Sequence, residues 1–134
     1  MPNLDLVTFL VDDYDRAVDW FTRVLGFALV QDEPASTDDG RPKRWVVVRP
    51  PTGGVGLLLA VADTPEQRAA LGHQAGGRVA FFLRVTDFET RVDSMRAHGV
   101  HFEGEPRHEE YGRVVVFSDP YGNRWDLLGD AALA

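Results

Sequence analysis

The order of sequence patterns in the first half of the chain recurs in the second half. Val11–Asp15 (Val-Asp-Asp-Tyr-Asp) corresponds to Val85–Glu89 (Val-Thr-Asp-Phe-Glu), and Pro51–Gly53 corresponds to Pro120–Gly122. In each half a β-prone run precedes an apolar stripe at helical spacing, a glycine ends that stripe, and further β-prone runs follow. A repeat on this scale indicates a duplicated unit whose two copies bury their apolar faces together.

The repeat predicts one helix and four strands in each half, with a short helix between the halves. Thr64 and Gln67 form a capping box that opens the short helix, and Thr86 with Glu89 forms a second box for the later helix. Residues 31–43 are polar and contain two prolines and a glycine, so they predict a loop or a wide hairpin. The predicted strands cover residues 4–11, 27–30, 45–49, 55–61, 79–85, 100–103, 113–117 and 124–128.

Composition limits the class of protein and the kinds of partner. The 134 residues are 44% hydrophobic and 26% charged, which is ordinary for a globular domain, and no stretch is long and apolar enough to span a membrane. A formal net charge of −7 disfavours nucleic acid and anionic membranes as partners. The chain has no cysteine, which excludes disulfides and thiolate metal sites, and the first residues show no secretory signal. We therefore expect a cytoplasmic protein.

Two motifs resemble those of the vicinal oxygen chelate superfamily, which includes glyoxalases, bleomycin-resistance proteins and extradiol dioxygenases. Residues 11–17 with Phe21 and residues 25–27 resemble the family's opening, and residues 119–127 (Asp-Pro-Tyr-Gly-Asn-Arg-Trp-Asp-Leu) resemble its closing hairpin. The resemblance covers nearly the whole chain and implies an α+β fold in which two βαβββ modules form a cup-shaped mixed sheet. It divides one domain, residues 1–134, into module one (about 4–61), a linker helix (about 64–72) and module two (about 77–130).

Metal-dependent members of the family draw His, Gln or Glu ligands from the first and last strands of each module. Counting from the matching motifs, the corresponding positions here are Leu6, Leu57, Ala80 and Asp126. Only Asp126 can bind a metal, and a single carboxylate falls short of the usual three or four protein ligands. We therefore expect no cofactor, with a divalent metal as the less favoured alternative.

Alternation along the strands predicts which side chains line the cup. If the four family positions face the cup, Leu10, Leu59 and Leu128 face it too, and so do Arg84 and Arg124. An isolated carboxylate there must be paired, solvated or partly protonated, and Arg84 and Arg124 are the expected partners. The predicted ligand-binding residues are Leu6, Thr8, Trp45, Leu57, Ala80, Phe82, Arg84, Tyr111, Arg124 and Asp126.

Three functions follow as alternatives. The first is a metal-independent protein that binds a largely apolar or aromatic ligand, which is cationic if an amine pairs with Asp126. The second is a metal-dependent lyase or dioxygenase of the glyoxalase type, which the apolar ligand positions disfavour. The third is a metal-free enzyme in which Asp126 acts as general base. The resemblance also implies a homodimer, because relatives often complete or cover the site with a second chain.

Overall fold

The chain forms two compact units, Met1–Leu71 (unit 1) and a second that begins at Gly72 (unit 2). The structure is a computed structural model that describes residues 1–130. Unit 1 contains β1 (Leu6–Val11), α1 (Tyr14–Arg23), β2 (Ala28–Ser36), β3 (Pro42–Arg49), β4 (Gly56–Val61) and α2 (Pro65–Ala70). Unit 2 contains β5 (Val79–Arg84), α3 (Phe88–Ala97), β6 (His101–Glu109), β7 (Gly112–Ser118) and β8 (Arg124–Gly129).

Each unit is built on a four-stranded mixed sheet with the same connectivity. The strand orders are β1-β4-β3-β2 in unit 1 and β5-β8-β7-β6 in unit 2. The first and last strands of each unit pair in parallel, and the other neighbours pair antiparallel. The sequence repeat is therefore a structural repeat. It brings the first and last strands of each unit together at the sheet edge opposite β2 or β6.

The helix of unit 1 covers one face of its sheet. The Asp13 side chain caps α1 by accepting the backbone N–H of Arg16 at 2.8 Å. Phe21 of α1 is fully buried and meets Phe9 of β1 edge to face, with ring centroids 5.1 Å apart. Burial of a ring of this size contributes roughly 2–3 kcal/mol. Because strand side chains alternate, the even-numbered residues of β1 point away from the helix.

Unit 2 repeats this arrangement with a different helix start. Phe88, Val92 and Met95 form the buried side of α3, while Trp125 of β8 packs against Phe81 at a centroid separation of 4.7 Å. The predicted capping box at Thr86 is wrong: Asp87 is the N-cap residue, and it makes no side-chain capping bond. The cap at Thr64 is confirmed, since its hydroxyl accepts the backbone N–H of Gln67 at 3.1 Å, but the Gln67 side chain accepts the backbone N–H of Asp63 rather than that of Thr64.

The polar segment after α1 is a wide hairpin. β2 continues to Ser36 and β3 begins at Pro42, so a loop over all of residues 31–43 is wrong. β2 is an edge strand whose residues are mostly exposed, which removes the apolar alternation that marks a strand in sequence. Pro34 is tolerated at such an edge. For the same reason β6, the matching edge of unit 2, extends beyond the predicted 100–103 to Glu109.

The turn before β8 is organised by a buried carboxylate. Asp119 Oδ1 accepts the backbone N–H groups of Tyr121, Gly122 and Asn123 at 2.9–3.1 Å. Its Oδ2 accepts Asn123 Nδ2 at 3.0 Å and Trp125 Nε1 at 2.9 Å. These five bonds fix the start of β8, and with it the register of the strand that carries Asp126.

Gly72 follows α2 and lies against this turn. Its φ is +73°, and a Cβ added there would overlap with the carbonyl oxygen of Tyr121. Only glycine fits both the backbone conformation and the space. Among residues 1–130, no helix is long and apolar enough to cross a membrane.

Candidate functional site

The sheet face of unit 1 opposite α1 carries a groove. Thr8 and Leu10 of β1 point to this face and pair with Leu58 and Ala60 of β4. The groove has a volume of about 840 Å³. Its lining residues are Thr8, Leu10, Tyr14, Thr37, Arg41, Pro42, Lys43, Arg44, Trp45, Leu58, Leu59, Ala60, Val61, Asp63, Thr64 and Gln67.

Leu57 was expected on this face, and that placement is wrong. It pairs with Val7 and Val48 and is 5% exposed, on the face that α1 covers. The residue that corresponds to Asp126 in register is Leu58, because Thr8 pairs with Leu58 as Phe82 pairs with Asp126. Leu59 lies on the same buried side as Leu57, paired with the core residue Phe9. The correction leaves the position apolar.

One aromatic wall of the groove is fixed by a hydrogen bond. Trp45 on β3 is 39% exposed, and its Nε1 donates to Oε1 of Gln31 on the neighbouring strand β2 at 3.0 Å. This bond satisfies the polar edge of the indole and leaves the apolar ring for the groove. The prediction that Trp45 lies at a ligand-accessible surface agrees with this position, while its role in binding stays a prediction.

The lining of the groove also contains a cluster centred on Arg44. Its guanidinium lies over the Tyr14 ring at 5.1 Å and makes ion pairs with Asp15 at 3.0 Å and Asp32 at 2.6 Å. The Arg44 backbone N–H also donates to the Tyr14 hydroxyl at 3.3 Å. Hydrogen bonds from Arg44 lower the pKa of the Asp32 carboxyl. Because two carboxylates are bound to Arg44, this arginine holds the rim of the groove in place and does not offer an unpaired positive charge to a ligand.

Unit 2 presents a second surface, which we call the Asp126 face. It is the side of its sheet opposite α3, and one row across it contains Phe82, Asp126, Val116 and Glu103, in that order. Phe82 is 65% exposed. Of the predicted ligand-binding residues, Phe82, Arg84, Arg124 and Asp126 are brought together here. Ala80 lies at an irregularity in the pairing of β5, and Tyr111 is an exposed residue of the β6–β7 turn.

The expected pairing of Asp126 with Arg84 or Arg124 is wrong for the described residues. Arg124 instead binds Glu103, with nitrogen–oxygen distances of 2.7 and 3.0 Å, and donates to the Gly77 carbonyl at 3.2 Å. Oδ1 of Asp126 is buried and accepts no hydrogen bond from residues 1–130. Burial raises the pKa of Asp126, although the positive charges of Arg107 and Arg124 act in the opposite direction.

The residues present do not fit the metal centre that the family resemblance implies. With the corrected register, the four family positions are Leu6, Leu58, Ala80 and Asp126, so three are apolar. Within residues 1–130, no three His, Asp or Glu side chains are grouped so that they could hold a metal ion. A single carboxylate does not complete the ligand set of a catalytic metal.

Most of the groove residues were missed by the prediction, and three of them show why. Leu58 was missed because of the register error, and Tyr14 because its position in the helical stripe suggested the core. The third, Gln67, carries no sequence signal beyond its place in the capping box, where its Oε1 accepts the backbone N–H of Asp63 at 2.9 Å. A correct register for β4 would have identified Leu58.

Comparison with known proteins identifies the family. The model of the glyoxalase/bleomycin resistance protein/dioxygenase superfamily matches residues 3–127. An uncharacterized protein of Shewanella frigidimarina is 46% identical over 91% of this chain and 89% of its own length. The chain belongs to the glyoxalase/bleomycin resistance protein/dioxygenase superfamily.

Solved structures support the fold. TnmS3, an antibiotic-binding protein from Streptomyces sp. CB03234, has a TM-score of 0.76 and 27% identity, with 98% of each chain covered. A glyoxalase family protein from Bacillus cereus has a TM-score of 0.77 at 20% identity, covering 98% of this chain and 96% of its own, and shows the fold alone. The predicted α+β fold with two βαβββ modules is confirmed.

Proposed function

We propose that this chain is a metal-independent protein that binds a small, largely apolar or aromatic molecule in the groove of unit 1. The groove itself carries the proposal. Its floor is formed by Leu10, Leu58 and Ala60, and Trp45 and Tyr14 supply aromatic walls. Its volume of about 840 Å³ lies within the range of roughly 300–1,000 Å³ that is typical of ligand pockets.

The similarity to TnmS3 supports the same kind of ligand. That protein is described as antibiotic-binding. Its 27% identity to this chain over nearly the full length supports a relationship that goes beyond a common fold. A drug-sized organic molecule with a large apolar surface is therefore the class of ligand that we propose for this chain. A cationic ligand, expected if an amine pairs with Asp126, stays a prediction, because Asp126 lies in unit 2 and does not line this groove.

Metal independence is proposed from the chemistry of the side chains. Leu6, Leu58 and Ala80 cannot coordinate a cation, and Asp126 alone does not form a site. Binding in the groove would instead rest on burial of apolar surface and on contact with the Trp45 ring. The hydroxyls and amide of Thr8, Thr64 and Gln67 supply polar contacts at its edge.

Fluorescence titration with N-phenyl-1-naphthylamine, a neutral aromatic probe, tests this function. We expect saturable binding to the wild-type protein. Thr8→Arg places a long charged side chain in the groove and should weaken the affinity at least about tenfold. Thr52→Arg makes the same change in an exposed turn outside the groove and serves as the control. Equal affinities in the two variants would refute binding in the groove.

A second candidate is a metal-free enzyme in which Asp126 acts as general base. The observation that favours it is the raised pKa of this carboxyl, which burial causes. Such an enzyme would exchange the acidic α-protons of a small ketone such as phenylacetone in D₂O, and Asp126→Asn would abolish the exchange. An unchanged exchange rate in the presence of wild-type protein would refute this candidate for that substrate class.

Two expectations on assembly and location are also part of the proposal. A homodimer and a cytoplasmic location both stay predictions. Sedimentation equilibrium of the purified protein tests the first, and fractionation of the source cells tests the second.

A further inference from the structure

The starting point is a carboxylate oxygen without a hydrogen-bond partner. Oδ1 of Asp126 is buried and receives no hydrogen bond from the described residues. Its neighbours across the sheet, Phe82 and Val116, have side chains that cannot donate one. A buried carboxylate oxygen left in this state is costly, and most such atoms in native proteins have a partner.

The arginines of the same face are engaged elsewhere or lie apart. Arg124 is bound to Glu103, and Arg107 to Glu109 at 3.2 Å. Arg84 pairs with Leu128, two rows along the sheet from Asp126, and makes no ion pair of 4 Å or less with any of residues 1–130. The described part of the protein therefore leaves the negative charge of Asp126 without a directly bound counter-charge.

An aromatic ring lies next to this carboxylate. Phe82 pairs with Asp126 in the sheet and is 65% exposed. The face of an aromatic ring attracts a cation, and more strongly when the cation is shielded from water. A carboxylate beside an accessible ring is a combination suited to an organic ammonium group, whose alkyl part contacts the ring while its charge faces the carboxylate.

We infer that the Asp126 face of unit 2 binds an organic ammonium ion, with Phe82 contacting its alkyl groups and Asp126 supplying the counter-charge. This inference rests on the proposed function in that it takes the chain to be a small-molecule-binding protein. It assigns a charge class of ligand to a surface that the groove of unit 1 does not include. The net charge of −7 favours the approach of a cation.

A set of matched probes tests the inference by isothermal titration calorimetry. Benzyltrimethylammonium carries a permanent positive charge, benzyl alcohol is neutral, and benzoate is negative. For the wild-type protein at pH 7 we expect the cation to bind about tenfold more tightly than the alcohol. Equal affinities would overturn the inference. Stronger binding of benzoate would also overturn it, because Arg84 would then govern the surface.

The variants assign the effect to individual side chains. Asp126→Asn keeps the shape of the side chain and should abolish the preference for the cation, whereas Asp130→Asn, the same change at an exposed position, should retain it. Phe82→Leu changes an exposed side chain, so the fold should persist, and we expect about threefold weaker cation binding. A preference that survives Asp126→Asn refutes the inference, and the Phe82 result decides the matter if that variant does not fold.

The pH profile provides a readout that a structural role would not give. Because the probe never titrates, its affinity should fall as acid protonates Asp126, with a midpoint above the ordinary pKa of an aspartate since burial raises it. The other charged groups on this face include Arg84 of β5, Arg124 of β8, and His101, Glu103, Arg107 and Glu109 of β6. The same pH profile in Asp126→Asn would refute the role of Asp126.

The proposal for the groove and the proposal for the Asp126 face can be refuted separately. N-phenyl-1-naphthylamine should bind Asp126→Asn as it binds the wild-type protein, because the groove lies wholly in unit 1. Cation binding without binding of this neutral probe would refute the proposed function of the groove and support the Asp126 face. The reverse result would refute the Asp126 face and leave the groove supported.

Discussion

Replacement of Asp119 by alanine should destabilise unit 2 strongly, because its carboxylate accepts five hydrogen bonds in the turn before β8. The side chain is 5% exposed. Its loss would leave two side-chain donors, Trp125 Nε1 and Asn123 Nδ2, without their acceptor in a buried setting. The backbone N–H groups of Tyr121 and Asn123 would also lose this acceptor, whereas that of Gly122 would keep the backbone carbonyl of residue 119, to which it donates at 3.1 Å.

The magnitude follows from these groups. A buried donor left unsatisfied costs about 1–3 kcal/mol, so the two side-chain donors together cost roughly 4 kcal/mol. For a chain of 134 residues, each kcal/mol lowers the melting temperature by about 4 °C. We therefore expect a decrease of about 15 °C. Asp119→Asn keeps one acceptor oxygen and should cost about half as much.

Urea unfolding followed by far-UV circular dichroism measures the change, and differential scanning calorimetry gives the melting temperature. Asp38→Ala is the control, because Asp38 is an exposed residue of the β2–β3 loop and its loss should change the stability by no more than about 0.5 kcal/mol. A cost below about 1 kcal/mol for Asp119→Ala would show that the carboxylate does not hold this turn.

Three further predictions concern a glycine, a positioning side chain and a titration. Gly72→Ala should lower the stability by at least about 2 kcal/mol, more than Gly76→Ala, where a Cβ would meet open space; equal losses would contradict the contact with the turn. Gln31→Leu should weaken probe binding in the groove about fivefold by freeing the Trp45 indole, as fluorescence titration would show, and unchanged affinity would contradict that role. Burial raises the pKa of Asp119 against the hydrogen bonds of its turn, so the folded state keeps this proton to higher pH than the unfolded state. The contribution of Asp119 to the free energy of unfolding should therefore fall as the pH rises from about 4 through the pKa of the folded state, and then level off. The difference in the free energy of unfolding between wild-type and Asp119→Asn protein should show this slope, and a difference that does not change with pH would refute it.

The internal repeat made the elements of the fold predictable, but it did not fix the register of every strand. Leu57 was matched to Asp126 from the offset between the two turns. Six residues separate β3 from β4, whereas five separate β7 from β8. The extra residue shifts the correspondence by one, and one residue along a strand exchanges the two faces of a sheet. A motif match before a loop therefore cannot set the register after it.

The candidate site was predictable in part for similar reasons. Alternation placed Asp126 and Phe82 on one face, because both lie on strands whose opposite face is strongly apolar. The partner of Arg124 was not predictable. Glu103 comes from an edge strand two strands away, and its approach depends on tertiary pairing that no local pattern encodes. The apolar floor of the groove likewise required the parallel pairing of β1 with β4.

The central claim is that the chain binds small molecules without a metal, and the affinity of metal-free protein for N-phenyl-1-naphthylamine tests it most directly. Protein dialysed against EDTA, checked by elemental analysis, would be titrated alone and after addition of Ni²⁺, Zn²⁺, Fe²⁺ or Mn²⁺. We predict saturable binding with the same affinity in every case and no stoichiometric uptake of metal. Binding that requires a metal, together with stoichiometric metal that Asp126→Ala removes, would contradict the account.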